Sequence, residues 1–332
     1  MSDGFNLRLR RPRPSVVACS PTLGVLGAVN LMPAYSAEED ALEMRTARSS
    51  RRRRAVSALL RWLTYLAAAV TAAVLLFVVG YILVRGVPAL TPDLFQWEYT
   101  SENVSLLPAL ASTVIMALLA LALAVPVGVG AAIYLVEYAR RGSLFVRLVR
   151  VTAETLQGIP SIIYGLFGML FFVTACGWGL SLLSGACTLA IMVLPVIMRT
   201  TEEALMAVPD SYREGGFGLG AGRLRTVACC VLPSAVPGIL GGVILALGRC
   251  VGEVAALLFT AGTVAQIPDF GGQGIFALFD SCRTLAVHMY TLACEGLHVN
   301  EAYATSVVLL ILVLLLNAAM RVVAQKMEVS KK

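Results

Sequence analysis

An arginine and a glutamate inside one long apolar run are the residues of this sequence best suited to chemistry. Arg249 and Glu253 lie in the run Val236–Ala261, which is long and apolar enough to cross a membrane. A charged side chain is costly inside a lipid bilayer, so an intramembrane arginine is a candidate functional residue. Their spacing predicts that both side chains project from one helix face, where they can form an ion pair.

This pair suits the passage of an oxyanion. A guanidinium group is planar and donates two parallel hydrogen bonds, which match two oxygens of a phosphate. A neighbouring carboxylate weakens the attraction, as is needed where ions pass through rather than stay. From these residues alone, a purely structural ion pair between helices remains the alternative.

Three further polar residues are candidates for the same path: Gln157, Ser161 and Thr260. The segment Gly158–Pro160, between the first two, is expected to break or begin a helix. Exposed ends of broken membrane helices can face anions. The simplest expectation for the three side chains is that they donate hydrogen bonds to backbone carbonyls.

The composition indicates a membrane protein. Hydrophobic residues make up 58% of the chain and charged residues 14%, whereas soluble domains carry about 25% charged residues. The net charge of +6 arises from basic clusters beside the apolar runs. Such clusters are typical of loops held on the cytoplasmic side of a bilayer. They therefore indicate a lipid bilayer, and not nucleic acid, as the partner.

Six apolar runs are predicted to be membrane helices, since a bilayer core about 30 Å thick requires roughly 20 residues. They are Leu63–Val84, Leu106–Val136, Ile159–Ala175, Leu180–Met198, Val236–Ala261 and Ala304–Val323. The predicted fold class is an all-α membrane protein. Arginine-rich and acidic segments alternate between the runs, so the positive-inside rule predicts that both termini are cytoplasmic.

The two histidines and the cysteines do not indicate a metal site, because no ligand spacing or Cys-x-x-Cys motif occurs. His288 and His298 are expected to be hydrogen-bonded residues of an exterior loop. Cys282 and Cys294 fall in the same loop, and the sequence leaves open whether they pair.

Residues 1–58 are predicted to be a disordered cytoplasmic extension that precedes the transmembrane domain, residues 59–327. The apolar stretch Val16–Met32 resembles a secretory signal. Cleavage after it would place Arg51–Arg54 outside, against the positive-inside rule. A translation start at Met44 is a further alternative.

A polar segment, residues 199–233, carries the signals of a short helix. Pro209 ends the element before it, Ser211 and Glu214 form a capping box, and Gly220 can take the positive φ that closes a helix. Since this helix is too polar to cross a bilayer, we expect it to bind a partner surface. Judged alone, it could equally be a solvated connector.

The spacing of Glu214-Gly215-Gly216, Gly220, Cys230 and Leu232-Pro233 resembles the docking-loop signature of type I ABC importer permeases. That resemblance implies a helix that inserts into a groove of an ATPase subunit. The residues implied in docking are Asp210, Ser211, Tyr212, Arg213, Glu214, Gly215, Gly216 and Gly220. Glycines replace both alanines of the signature, and each costs about 0.8–1 kcal/mol of helix stability. We therefore expect a helix ordered mainly by docking.

The resemblance narrows to phosphate importer permeases, within the CysTW-like group, and covers roughly residues 59–327, with a type-1 transmembrane module at about 106–323. The segments that carry it are Ser161–Gly168, Arg199–Pro209 and Ala246–Glu253. The segments that favour a PstA-type over a PstC-type subunit are Leu257–Gly262, Leu285–Tyr290 and Asn300–Tyr303.

This resemblance implies an inner-membrane complex with a PstC-type permease, two copies of a PstB-type ATPase and a periplasmic or extracellular phosphate-binding protein. Inorganic phosphate is the implied cargo. ATP and Mg²⁺ would be used by the ATPase, with no cofactor bound by this chain. The chain has no lysine before Lys326 and so no phosphate-binding Gly-x-x-x-x-Gly-Lys motif of its own. A permease for sulfate, molybdate or phosphonate, or a secondary anion transporter, remains an alternative, although the latter has no use for a docking loop.

Overall fold

The computed structural model describes residues 32–140, 142–268 and 271–329, which form helices without any β-strand among them. The helices are α1 Met32–Gly86, α2 Leu107–Ile133, α3 Leu144–Gln157, α4 Ser161–Gly168, α5 Leu182–Met206, α6 Asp210–Gly218, α7 Arg223–Thr226, α8 Leu232–Val251, α9 Ala255–Thr260, α10 Leu285–Glu295 and α11 Val299–Val329. Stretches of π-helix extend α2 (Tyr134–Tyr138) and α4 (Met169–Ala175) and join α7 to α8 (Val227–Val231). Short 3₁₀ turns are Val87–Ala89, Pro92–Phe95 and Gly274–Phe279.

Five helical segments of the described chain are long and apolar enough to cross a membrane. They are Val56–Ala89, Leu107–Tyr138, Leu182–Met206, Arg223–Val251 and Val299–Val322. A sixth crossing is obtained if α3 and the extended α4 are taken together, although a bend of 101° separates them. Pro160 explains the bend, because it lacks an amide hydrogen and disfavours helix at the residue before it. The predicted all-α, multi-pass architecture is confirmed.

The chain divides into two compact units after Leu76. The described part of the first unit, residues 32–76, belongs to α1. Residues 32–58, for which disorder was expected, are therefore helical, because this stretch is rich in the strong helix formers Ala, Glu, Leu, Met and Arg. Residues 1–31, which include most of the signal-like stretch, lie outside the described residues.

In the second unit, α5 forms the centre of the bundle and packs against α2 and α8. Small residues let neighbouring helices approach it closely, as is common in membrane bundles. A Cβ atom at Gly168 would overlap Thr188 and lie 2.7 Å from the Cγ2 of Thr260. Glycine at this position therefore allows α4, α5 and α9 to meet.

Candidate functional site

The helix that carries Arg249 ends sooner than predicted. α8 stops at Val251 with Gly252 as its C-cap, and α9 begins at Ala255. Glu253 lies in the break, where its Oε1 accepts a hydrogen bond from the Ala256 amide at 3.2 Å. A glycine and a carboxylate that binds a nearby amide both compete with continued helix. The prediction of one unbroken span, Val236–Ala261, is therefore wrong.

The predicted ion pair between Arg249 and Glu253 is wrong for the same reason. Glu253 lies beyond the helix, so the two side chains do not share a helix face. Among the described residues, no carboxylate forms an ion pair with Arg249. Arg249 is half-buried in the last turn of a membrane-spanning helix. The structure thus leaves Arg249 without an ion-pair partner in the part of the chain that it describes.

The other predicted path residues lie on elements close to this break. Gln157 ends α3, and its Nε2 donates to the carbonyl of Pro195 at 3.1 Å. Ser161 begins α4, which packs on α9. Thr260 is buried in α9 and donates to the Ala256 carbonyl at 2.9 Å. Bonding to backbone carbonyls is confirmed for Gln157 and Thr260, and no hydrogen bond among the described residues joins Arg249 to the three.

The predicted docking helix is present as α6, with a different start from the one expected. It begins at Asp210 with Pro209 as N-cap, and no side chain caps it. The capping box of Ser211 and Glu214 is therefore wrong, because the turn at Pro209 places the N-cap two residues earlier than Ser211. Its closure is as predicted: Gly220 has φ +79°.

Two backbone hydrogen bonds complete this closure. The Ala221 amide donates to the Gly216 carbonyl at 3.1 Å, and the Gly220 amide to the Phe217 carbonyl at 2.9 Å. This pair of bonds is the Schellman arrangement that ends many helices.

The eight residues predicted for docking divide into an outward and an inward group. The exposed ones are Asp210, Ser211, Tyr212, Glu214, Gly215 and Gly220. The inward ones are Arg213 and Gly216. The exposed group is available to a partner protein, whereas the inward two make contacts within this subunit.

Arg213 ties α6 to the end of α2. Its Nη2 lies 2.8 Å from the Oε1 of Glu137, in the π-helical extension of α2, and its Nη1 lies 3.0 Å from the Oδ1 of Asp210. It also donates to the carbonyls of Leu205 and Val208, both at 2.9 Å. Charge-assisted bonds of this kind are roughly twice as strong as neutral ones. Arg213 is therefore a rigid link between the docking helix and a membrane helix.

Gly216 is required by the packing of α6 on α7. A Cβ atom there would lie 2.7 Å from Cγ2 and 2.9 Å from Oγ1 of Thr226, which is buried. Gly215 has open space around it, with nothing within 4 Å. The two glycines thus have different roles, although the sequence presents them as one substitution of an alanine pair.

Comparison with known proteins agrees with this geometry. The family described as "Binding-protein-dependent transport system inner membrane component" matches residues 124–329. This chain belongs to that family.

Its relatives include permeases of ABC transporters. The chain is 36% identical to the probable ABC transporter permease protein YqgI of Bacillus subtilis, over 77% of this chain and 90% of that one. It is 33% identical to the phosphate transport system permease protein PstA of Pasteurella multocida, over 73% and 84%. The predicted resemblance to PstA-type permeases is confirmed.

Solved structures support the same fold. A bacterial ABC transporter involved in alginate import matches with a TM-score of 0.55 at 15% identity, over 80% of this chain and 96% of that one. The methionine transporter MetNI, in an inward-facing form, matches with a TM-score of 0.51 at 22% identity, over 75% and 97%. At these identities the likeness concerns the fold alone, and it confirms the importer-permease architecture.

Sequence reasoning missed Glu137 and Glu202 in this permease. Glu137 binds Arg213, and the almost fully buried Glu202 forms an ion pair with Arg150 between α5 and α3. A signal for Glu137 was available, because it is the one acidic residue at the start of an arginine-rich segment.

One expectation for the segment around α10 is wrong, and one question that the sequence left open is answered. His288 lies inside α10 rather than in a loop, is fully buried, and neither ring nitrogen has a hydrogen-bond partner of ordinary geometry. Cys282 is buried and Cys294 exposed, and both are free thiols. The helix carries His288 inward, which an acidic, glycine-rich surrounding sequence did not indicate.

Proposed function

We propose that this chain is a permease subunit of an ATP-driven importer of inorganic phosphate. The observation that carries the proposal is Arg249, a half-buried cation in a membrane span with no ion-pair partner among the described residues. A guanidinium in that state favours an anion with several oxygens. The similarity to phosphate transport system permeases supports phosphate as that anion.

Glu253 has a different part in this proposal from the one expected. Its carboxylate binds the Ala256 amide, and in doing so it fixes the break between α8 and α9. Arg249 then stays available to the anion and is not neutralised beforehand. Gln157, Ser161 and Thr260 would shape the same passage through the elements that they begin or end.

ATP hydrolysis would reach this pathway through α6. We infer that Tyr212, Glu214 and Gly215, on the exposed side of α6, enter a groove of the ATPase. Movement of α6 would then pull α2 through the bonds of Arg213 to Glu137. Because the linked groups are largely buried and charged, the connection resists stretching better than a solvated loop.

The complete importer would contain this chain, a PstC-type permease, two copies of a PstB-type ATPase and a phosphate-binding protein outside the membrane. ATP and Mg²⁺ belong to the ATPase subunits, and we assign no cofactor to this chain. The positive-inside pattern supports cytoplasmic termini in the inner membrane.

The proposal predicts that Arg249→Gln abolishes phosphate uptake while the complex remains assembled. Uptake of radiolabelled phosphate by cells that express the whole importer measures this, and co-purification of the subunits checks assembly. The matched control is Arg321→Gln, which removes an exposed arginine from α11. Normal uptake by an assembled Arg249→Gln complex would refute the role of Arg249.

A further inference from the structure

A second arginine without a carboxylate partner lies at the end of the protein opposite the docking helix. The Leu285 amide donates to Thr113 Oγ1 at 2.7 Å, which places the start of α10 beside the first turns of α2. Glu137, which binds the docking helix, lies at the other end of α2. At 1.5 Å per residue, these two points on α2 are roughly 36 Å apart. Arg283, just before α10, is therefore on the opposite membrane face from α6.

Arg283 is buried but only partly satisfied. Its side chain is 5% exposed, and its Nη1 donates to Thr291 Oγ1 at 3.2 Å. Its Nε and Nη2 have no hydrogen-bond partner, and no carboxylate of the described residues pairs with it. A buried, charged group whose donors make no hydrogen bond destabilises the fold, so each such group calls for an explanation.

The groups that contact Arg283 directly carry no negative charge. The Tyr99 ring lies under the guanidinium, 4.8 Å from its central carbon, and stands edge-on to the ring of His288 at 6.1 Å. Burial lowers the pKa of His288 to about 3, with the charge of Arg283 acting in the same direction and the backbone of Val104 opposing it. The histidine is thus neutral, and Arg283 has no ion-pair partner among the described residues.

The backbone beside this cluster is strained. Val104, buried next to the histidine, has φ +45°, which is a genuine outlier for a β-branched residue. Strain of this kind persists where the surrounding structure fixes a conformation, and it is frequent at ligand sites. The backbone at Val104 is therefore held in this conformation by its surroundings.

A cavity of about 620 Å³ adjoins Tyr99. Trp97, Glu98 and Tyr99 line it together with residues 264–267. Tyr99 thus contacts both this open cavity and the guanidinium. We infer that a movement of its side chain would let a small solute in the cavity reach Arg283.

We propose that Arg283, with Thr291 and Tyr99, forms an oxyanion site through which phosphate passes before it reaches Arg249. Two free guanidinium donors suit two oxygens of one anion. The existence of the site follows from the unsatisfied donors, whereas the identity of its anion as phosphate rests on the proposed function. Glu98 in the neighbouring cavity would keep occupancy brief, as suits a site of transit.

The test uses the assembled importer in lipid nanodiscs and measures equilibrium binding of radiolabelled phosphate without the binding protein. Arg283→Gln is expected to weaken binding about tenfold or more, since a bond to a charged group contributes about 1.5–3 kcal/mol. The phosphate affinity of Arg283→Lys should lie between those of wild type and Arg283→Gln, because lysine keeps the charge and loses the paired donors. The control is Arg85→Gln, since Arg85 also lies over a tyrosine ring, Tyr81, but is exposed.

The outcomes separate this inference from the proposed function. Unchanged binding by assembled Arg283→Gln overturns the site, even if the importer carries phosphate. If wild type binds sulfate instead of phosphate and the loss still follows Arg283, the site stands and the phosphate assignment fails. A defect seen only in docking of the binding protein means that Arg283 pairs with a partner carboxylate, which also overturns the proposal. Should Arg283→Gln not assemble, binding by Arg283→Lys decides.

Discussion

Arg213 and Arg283 lie near opposite ends of α2, and both are largely buried, yet their surroundings differ in kind. The side chain of Arg213 is 16% exposed and meets two carboxylates and two backbone carbonyls. Arg283 is 5% exposed and meets one hydroxyl and one aromatic ring. The more deeply buried arginine therefore has the poorer set of partners.

This difference separates a mechanical role from a binding role. A buried charge with complete partners gains little from a new ligand and loses much if one partner is removed. A buried charge with incomplete partners is the place where an anion gains most. On this view Arg213 transmits force between elements, whereas Arg283 and the half-buried Arg249 attract the cargo.

The largest effect is expected from Glu137→Gln, which removes the ion pair between Glu137 and Arg213. Loss of one partner of a buried ion pair costs about 3–5 kcal/mol, and the remaining partners of Arg213 place the effect near the lower figure. We expect ATP hydrolysis to continue while phosphate uptake per ATP falls, because α6 no longer pulls α2. Both rates are measured in proteoliposomes that contain the whole importer.

The control for Glu137 is Glu203→Gln. Glu203 pairs with Arg199 at 3.1 Å, and both side chains are about half exposed. Exposed pairs contribute about 0–1 kcal/mol, so coupling should be unchanged. If Glu137→Gln couples as well as Glu203→Gln, the Arg213 link does not transmit force.

An intermediate effect is expected when the pH is lowered, because His288, which lies beside Arg283, then gains a proton. The pKa of buried His288 is about 3, below its value of 6.5 in an unfolded chain. The unfolded state thus binds the proton first, so stability is complete above pH 6.5 and is lost as pH falls from 6.5 toward 3. Each pH unit within this window costs about 1.4 kcal/mol.

Thermal unfolding of the purified complex between pH 7 and 5 measures this loss. His288→Gln should remove the part of the pH dependence that comes from binding one proton, and His298→Gln, at a partly exposed histidine, is the matched control. Equal slopes for wild type and His288→Gln would show that His288 is already solvated.

The smallest effect is expected from the two glycines of the docking helix. Gly216→Ala should weaken attachment of α6 by about 1–3 kcal/mol, because its methyl group overlaps Thr226. Gly215→Ala should stabilise α6 by up to about 1 kcal/mol, since it has open space and alanine favours helix. Thermal unfolding and affinity for the ATPase check both. Identical effects would mean that the two positions share one environment.

Local signals in the sequence predicted much of this fold. Apolar runs located the spans, Pro160 located the bend, and Gly220 located the end of the docking helix. Each depends on a few neighbouring residues.

The features that the sequence did not predict depend mostly on contacts between residues that are distant in the chain. The inward turn of Arg213 is set by Glu137, 76 residues earlier. The burial of Arg283 and His288 is set by Tyr99 and Val104, in a different loop. The break after Val251 was missed because Glu253 was assigned to Arg249, whereas it binds the Ala256 amide.

The ratio of phosphate imported to ATP hydrolysed tests the contrast between the two arginines most directly. It is measured over a range of phosphate concentrations in proteoliposomes with wild type, Arg213→Gln and Arg283→Gln. The contrast predicts that Arg213→Gln lowers the ratio at every phosphate concentration. Arg283→Gln should instead shift half-saturation to higher phosphate and leave the ratio at saturation unchanged. If both variants lower the saturating ratio alike, or neither changes anything, the assignment of one arginine to coupling and the other to the anion is contradicted.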